Sequence, residues 1–493
     1  MFFLKISGLD KSRNVIYDII NNWWTTMNKD EKKRNLILND PNIYKGLFLL
    51  SIPLMLNNFI KTIHDVIDMY FVSEIPGFSA DAVSAISLTF PVVFTFISLG
   101  IGLSAAGTAL ISQQVGSGQH EDARKFASNL VILSLAAGVI LNIFSFFAAG
   151  PIMELMGTEG FVYENSVQYL KIRSFELPVV FLFFAFTSIR QSSGDTVTPV
   201  IYGVFTMVVN IILSPILISV FNMGVPGAAY ATLIANVIIM PVGLLQLFRS
   251  KSGVTIAKKY LILDKKISHS IIKTAIPASL GQSFTAIGFA IMNGIIVSYG
   301  TQTVAAFSVG NRISSLILHP VMAIGGVLAA YLGQNIGNKN IPRARETFKK
   351  AMILSVGLMF LGSLIMIGFR EYLAGFFIKD DPVALALTAE YMFYLLIGLP
   401  LMAIFQTYMG AFNGTGNTKF TFIITITRLW ILRIPLVYLF KLGTNLGSSG
   451  IWYAMLISNV LIMFVGMYLY KKVDYKPKVK IRQETEQLIE EYE

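Results

Sequence analysis

Residues 51–74 read SIPLMLNNFIKTIHDVIDMYFVSE, and this stretch decides what kind of protein the chain makes. Apolar residues dominate it, and its length is that of a helix crossing a bilayer. Yet it carries Asn57, Asn58, Lys61, His64, Asp65 and Asp68, and spacings of three and four residues put most of them on one broad side. A charged side chain in hydrocarbon costs roughly 3 kcal/mol, so these groups are expected to face protein or a wet cavity. Pro53, about four turns from Asp68, donates no backbone hydrogen bond and is the candidate bend. A bendable membrane helix with buried acids is what a proton- or cation-driven carrier needs. The plainer structural reading leaves Asp65 and Asp68 hydrated at the outer helix end.

The rest of the chain agrees with a membrane location. Of its 493 residues, 54% are hydrophobic and 14% charged, far more apolar than a soluble protein of this size. The fold class is therefore an all-α polytopic membrane protein. Twelve spans are expected at roughly 46–74, 82–114, 124–149, 164–190, 197–222, 225–249, 270–298, 303–334, 346–370, 385–412, 418–440 and 449–471. The net charge of +11 is no nucleic-acid signal, because Lys and Arg concentrate in alternate loops. They are abundant before residue 46, in 115–125, 249–273 and 335–350, and after Lys471, and nearly absent from the loops between. Positive loops stay inside, so both termini are expected to be cytoplasmic, in a multi-pass protein of the plasma membrane. There is no cysteine, hence no disulfide or thiol chemistry. The N-terminal MFFLKISGLDKSRN turns polar too soon for a secretory leader. NVIYDIINNWW, within the expected tail, reads either as plain tail or as a short interfacial helix.

The chain repeats itself. LISQQVGSGQHEDARKF at 110–126 resembles YLGQNIGNKNIPRARETF at 331–348, pairing Gln113 with Gln334, Gly116 with Gly337, Ala123 with Ala344 and Arg124 with Arg345. SSGDTVTP at 192–199 resembles GTGNTKFT at 414–421, and GAAYATLIANV at 227–237 resembles GIWYAMLISNV at 450–460. Three matches in one order at nearly constant offset define an internal duplication. Six spans per half make the repeat parallel, an architecture of carriers with a site between the halves. The expected organisation is a cytoplasmic tail at 1–45, an N-lobe at 46–249, a cytoplasmic linker at 250–269, a C-lobe at 270–471 and a cytoplasmic tail at 472–493.

SIPLMLNN before a charged first helix, GSGQHEDARKF, GNKNIPRAR, SSGDTVTP, and VVNIILSPILI followed by GVPGAAYAT together resemble the multidrug and toxic compound extrusion (MATE) family over about residues 40 to 471. The resemblance implies two six-helix lobes and export driven by inward flow of H⁺ or Na⁺, with no other cofactor. It is nearest to the DinF-like branch, which carries its coupling acid on the first helix in a context like DMYFVS. It thereby gives Asp68 the coupling role, with Asn210 on the fifth span and Thr232 on the sixth as polar partners and Pro53 as hinge. Where many relatives have an aspartate, this chain has Ser214, and Asp65 stands where they are often uncharged. Asp65 either restores the second carboxylate of a Na⁺ site or pairs with Lys61, which favours H⁺.

Other polar groups divide unevenly between the halves. Arg173 and Glu176, three apart on the fourth span, read as a structural ion pair, or alternatively as a second protonatable site. The second half has Arg312, Arg428 and Arg433 within its helices and no deep acid to match them. Arg312 and Arg428 come out near mid-membrane and are candidate contacts for an anionic part of a substrate, or else structural ties to carbonyls. Arg433 is expected to snorkel to the headgroups. No spacing suits a metal site beyond a possible Na⁺ at Asp68, and no nucleophile–base pair or phosphate loop points to an enzyme. Expected partners are small amphipathic substrates and membrane lipids, for a monomer. The alternative substrate is a lipid-linked or anionic amphiphile that is flipped or exported.

Overall fold

A computed structural model describes residues 30–73, 75, 79–250, 253–378 and 381–481; the side chains of 30, 31, 64–66, 68, 69, 73, 79 and 80 are outside the description. All regular structure among these residues is helical. Hydrocarbon offers backbone groups no partner, and a helix bonds its own. A short helix, α1 (Asp30–Leu38), precedes the first lobe. That lobe comprises α2 (Ile43–Ser73), α3 (Ser79–Gly116), α4 (His120–Leu155), α5 (Gly160–Ser174), α6 (Leu177–Ser192), α7 (Val197–Pro215) and α8 (Gly224–Arg249). The second comprises α9 (Lys265–Val297), α10 (Thr301–Gly337), α11 (Ile341–Phe377), α12 (Pro382–Gly414), α13 (Thr418–Ile426), α14 (Ile434–Gly443) and α15 (Ser449–Lys471). A π-helical turn, Ile216–Val220, extends α7, and another, Thr427–Arg433, joins α13 to α14.

Among the described residues, eleven helical segments are long and apolar enough to cross a membrane, and α5 with α6 makes a twelfth span bent by 46°. Pro178 in the first turn of α6 accounts for the bend, since it cannot continue the hydrogen-bond ladder of α5. Elsewhere large apolar side chains face outward, such as Ile140, Phe144 and Phe147 on α4 and Leu361, Leu364 and Ile365 on α11. On a soluble protein such a surface would mark a binding patch, and here it faces lipid.

The lobes meet where α3 packs on α9 and α10 and where α2 packs on α10. Near mid-helix the Ser98 and Ser283 hydroxyls lie 2.8 Å apart, and Ser279 Oγ donates to the Leu99 carbonyl at 2.7 Å. Toward the basic loops the two backbones come together. A Cβ on Gly116 would lie 2.0 Å from the Gln334 carbonyl oxygen, and a Cβ on Gly337 would lie 2.0 Å from that of Gln113. These are the residues paired by the sequence repeat, and the contact is reciprocal. Reciprocity is the signature of a twofold relation between the lobes.

Both ends of the described chain cross this seam. α1 buries Leu36, Ile37 and Leu38. The second lobe caps its C-terminal carbonyls: Tyr331 Oη donates to Leu36 O, Arg343 Nε to Ile37 O at 3.1 Å and Arg343 Nη2 to Asp40 O at 2.7 Å. The first lobe holds its other side. Lys33 Nζ lies 3.5 Å from Asp195 Oδ1, and Arg190 Nη2 lies 2.7 Å from Asp195 Oδ2, all three side chains being buried. At the other end, Asn417 Nδ2 donates to Asp474 O, the Lys478 N–H donates to Gln113 Oε1 at 2.7 Å, and Val479 is buried in the first lobe. α9 begins at Lys265, where the Asp264 carboxylate caps the Lys266 and Ile267 N–H groups. NVIYDIINNWW lies outside the described residues.

Burial alone would raise the Asp195 carboxyl, but Arg190, Lys33 and two bonds from Thr198 outweigh it and hold it below its ordinary value. A depressed folded pKa gives stability that is complete above the unfolded pKa, about 3.9, and is lost as pH falls through the lowered value. Asp195→Asn leaves two buried cations without their carboxylate and is expected to cost about 3 kcal/mol or more. Thermal melting of the purified protein in detergent at neutral pH is the check; an unchanged midpoint would remove the triad from the stability of this face.

Candidate functional site

The interior of the first lobe holds a connected line of polar side chains. It starts on α7, where Ser214, in the last turn before the π segment, donates to Asn210 Oδ1 at 3.4 Å. Asn210 Nδ2 donates to Thr232 Oγ1 on α8 at 3.1 Å, and Thr232 donates to the Ala228 carbonyl one turn earlier. Asn236, a turn beyond Thr232, donates through its amide to the Thr232 carbonyl at 3.0 Å and to Glu176 Oε1 at 3.1 Å. Glu176 completes the line by pairing through Oε2 with Arg173 Nη1 at 2.5 Å. Glu176, Asn210 and Ser214 are buried, so the bonds replace water that is not available.

Two groups that the sequence kept apart, Asn210–Ser214–Thr232 and Arg173–Glu176, thus belong to one network. Asn236 joins them and was not singled out from the sequence. The only signal was its place four residues after Thr232, one turn along the same face. The expectation that Arg173 and Glu176 share one continuous helix of the fourth span is corrected. They span the bend between α5 and α6, where Pro178 breaks the ladder, and their pairing ties the two pieces together.

α2 runs alongside this line. It packs on α7, where Asn57 Oδ1 lies 3.0 Å from the position of a Cβ on Gly203. Lys61, also on α2, is close enough for its charge to act on the Glu176 carboxylate. Asp65 and Asp68 lie on the same helix, and their side chains are outside the described residues. α2 runs unbroken through Pro53.

The second lobe is built differently. Arg428 and Arg433 sit in the π segment and are buried. Arg428 lies with its guanidinium 4.2 Å above the Phe405 ring centre and Nη1 2.9 Å from Met402 Sδ, while its Nε has no partner among the described residues. Arg433 donates from Nε to Ser458 Oγ at 3.0 Å and from Nη2 to Asn459 Oδ1 at 2.7 Å. The expectation that Arg433 snorkels to the headgroups is therefore overturned. The extra residue of a π turn rotates it inward, where α15 supplies polar partners. Arg312 on α10 is exposed.

Comparison with known proteins gives this arrangement its family. The MatE family profile matches twice, at residues 53–216 and again at 277–439, once in each lobe. The chain belongs to the MatE family. It is a multi-span membrane transporter, not an enzyme. Over 449 residues it is 26% identical to the "Probable multidrug resistance protein YoeA" of Bacillus subtilis, covering 88% of this chain and 95% of that one. It is also 26% identical over 432 residues to the multidrug export protein MepA of Staphylococcus saprophyticus, covering 87% and 93%. Among solved structures it superposes with a TM-score of 0.82 and 25% identity on an outward-facing multidrug resistance MATE transporter, covering 89% of this chain and 97% of that one. It superposes at 0.83 and 25% on a Pyrococcus furiosus transporter of the MOP superfamily, covering 90% and 97%; that structure is described by the reverse polarity of its binding pocket. This MatE protein thus has the fold and the duplication that its sequence implied.

Asn236→Leu would remove the donor that connects Glu176 to the α7–α8 pair. Leaving a buried acceptor short of a partner costs about 1–3 kcal/mol. A fall in the melting temperature of the purified protein is expected; an unchanged melting temperature would show that the line is not continuous in solution.

Proposed function

We propose that this MatE protein is an antiporter that exports small amphipathic compounds, acting as a monomer, with H⁺ as the coupling ion and Asp68 as the residue that carries it. The observation that carries the proposal is the polar line of Ser214, Asn210, Thr232, Asn236 and Glu176, buried at Ser214, Asn210 and Glu176, beside the helix that bears Asp68. A first-lobe interior that already spends bonds on amides, hydroxyls and an ion pair is an environment where a protonatable acid on the adjacent helix changes the local balance when it gains or loses its charge. H⁺ is favoured over Na⁺ because Ser214 stands where many relatives carry a second carboxylate, which leaves Asp68 as the acid of the site. Asp65 then pairs with Lys61 rather than serving as a second ligand. The DinF-like context of Asp68 supports the same assignment.

The N-lobe at 46–249 and the C-lobe at 270–471 rock about the α3–α9–α10 seam, with Pro53 as the bend in α2. With the basic loops and both termini inside, the close crossing at Gly116 and Gly337 lies on the inner side, and the conformation is sealed there. Drug-like substrates are inferred from relatives such as MepA, whose name describes multidrug export. Asp68→Asn is expected to reduce efflux of a dye panel from proteoliposomes under an inward pH gradient to the level of protein-free vesicles, with protein still incorporated. Full efflux by that variant would overturn the assignment.

A second reading rests on Arg428. A buried guanidinium on an aromatic face, with Nε unpartnered among the described residues and no carboxylate beside it, is suited to the anionic part of a lipid-linked or other amphiphilic substrate. Arg312 is the other candidate contact. Arg428→Gln is then expected to weaken export of anionic amphiphiles about tenfold more than export of cationic dyes, the loss of one charged hydrogen bond to substrate. Equal loss for both classes would return Arg428 to packing.

A further inference from the structure

A cavity of about 420 Å³ opens on the face of the basic loops, between the turn joining α10 to α11 and the segment after α15. Lys339, Arg345 and Lys476 line it, with Ile336, Ile341 and Val473 among its apolar walls. Asp474 is the one acid in the lining, and its oxygens are engaged: Oδ2 pairs with Lys478 Nζ at 2.9 Å and Oδ1 accepts the Lys476 N–H at 2.9 Å. The three lining cations have no carboxylate within ion-pair reach among the described residues. Arg345 places its guanidinium carbon 5.3 Å from the centre of the Tyr475 ring, a cation–π contact that does not use its N–H donors.

Lys339 gives the cavity a second, independent mark. Its φ is +56°, in the left-handed region that side chains avoid. The repeat offset that pairs Gln334 with Gln113 and Arg345 with Arg124 pairs Lys339 with Gly118, whose φ is +78°. The first lobe thus uses glycine for this turn, and the second holds a lysine in the same strained conformation beside the cavity. Strain retained where the duplicate avoids it points to a role for the side chain.

We propose that this cavity binds the phosphate of an anionic lipid headgroup. Phosphate chemistry follows from three cations that line one cavity, a guanidinium among them. A lipid source follows from position and from the apolar walls. α15 ends beside the cavity with Tyr468, Lys471 and Lys472 exposed and Lys472 Nζ 4.3 Å from the Tyr468 ring centre, the residue pattern of headgroup depth. Binding has a consequence beyond the cavity. Its wall at 473–477 belongs to the segment that reaches across to Gln113 and buries Val479 in the first lobe. An occupied cavity holds that segment in place and favours the conformation in which the lobes are closed on this face.

The test uses the full chain. Native mass spectrometry of protein extracted from vesicles of mixed phosphatidylglycerol and phosphatidylcholine is expected to show preferential retention of phosphatidylglycerol. Lys339→Gly, which restores the residue of the repeat and relieves the strained φ, and Lys476→Gln are each expected to reduce that preference about fivefold. Equal retention of both lipids by the unsubstituted protein, or an unchanged preference in both variants, would overturn the proposal. So would displacement by inorganic phosphate as effective as by phosphatidylglycerol, which would assign a soluble anion instead. Trypsin cleavage at Lys478 and Lys480 reports the bridging segment. Phosphatidylglycerol is expected to slow it in the unsubstituted protein and not in Lys339→Gly, and a rate indifferent to lipid would overturn the closure.

Discussion

The fold depends on two carbonyl groups, those of Gln113 and Gln334, each resting against the glycine of the opposite lobe. No side chain is tolerated between α3 and α10 there, because the space that a methyl would need is already backbone. Each glycine faces the glutamine of the other repeat, so one duplicated short motif supplies both halves of the contact. The neighbouring interactions follow from that approach. The serines at mid-helix come within hydrogen-bond reach, and both ends of the described chain find surfaces from both lobes to lie across. Gene duplication here yields more than two similar bundles, since the same residues serve as the binding surface between them.

Much of this was legible from the sequence because the relevant signals are long. A bilayer needs about 20 apolar residues per helix, and windows of that length survive local irregularity. The twelve spans and the duplication were therefore recovered, although α5 and α6 share one span. The pairing of Gly116 with Gly337 was also legible as a repeat, but its meaning was not, because nothing in one strand of letters says that two glycines meet the opposite backbones. Lateral partners proved hardest. Asn236 looked like one amide on an apolar helix, and only the rotation of α8 against α6 brings it to Glu176. Arg433 was misread because only its depth was counted, at an α-helical rise per residue, and depth does not tell the direction in which a π turn aims the side chain. Residues 30–45 read as tail, since α1 is polar on average and its three buried apolar residues are the last of nine.

The lobes are alike in backbone and unlike in chemistry. The first places a carboxylate, amides and hydroxyls in one connected line. The second places two buried arginines without acids among the described residues, Arg428 against a thioether and a ring and Arg433 bonded to a hydroxyl and an amide. Both solutions obey the same constraint, that hydrocarbon does not solvate a polar group. They leave different electrostatic characters in two halves of common origin, an ion pair in one and two cations without carboxylate partners among the described residues in the other. The two bundles that meet at the seam therefore differ in the polar chemistry each keeps inside.

The π turns carry a further consequence for how such a protein changes over generations. Each takes up one residue more than an α-helical turn of the same height. The fifth span, which holds Asn210 and Ser214 of the polar line, and the eleventh, which holds the buried arginines, therefore each carry a surplus residue that the membrane thickness does not require. Substitution replaces one side chain by another at a fixed bearing around the helix axis. Loss or gain of the surplus residue instead turns everything beyond it by about a hundred degrees while the length that spans the bilayer stays nearly the same. Within this scaffold, single-codon insertions and deletions at 427–433, where a helix follows the π turn, are a route by which a lineage can exchange the residues that face the interior for those that face lipid, without rebuilding the lobe.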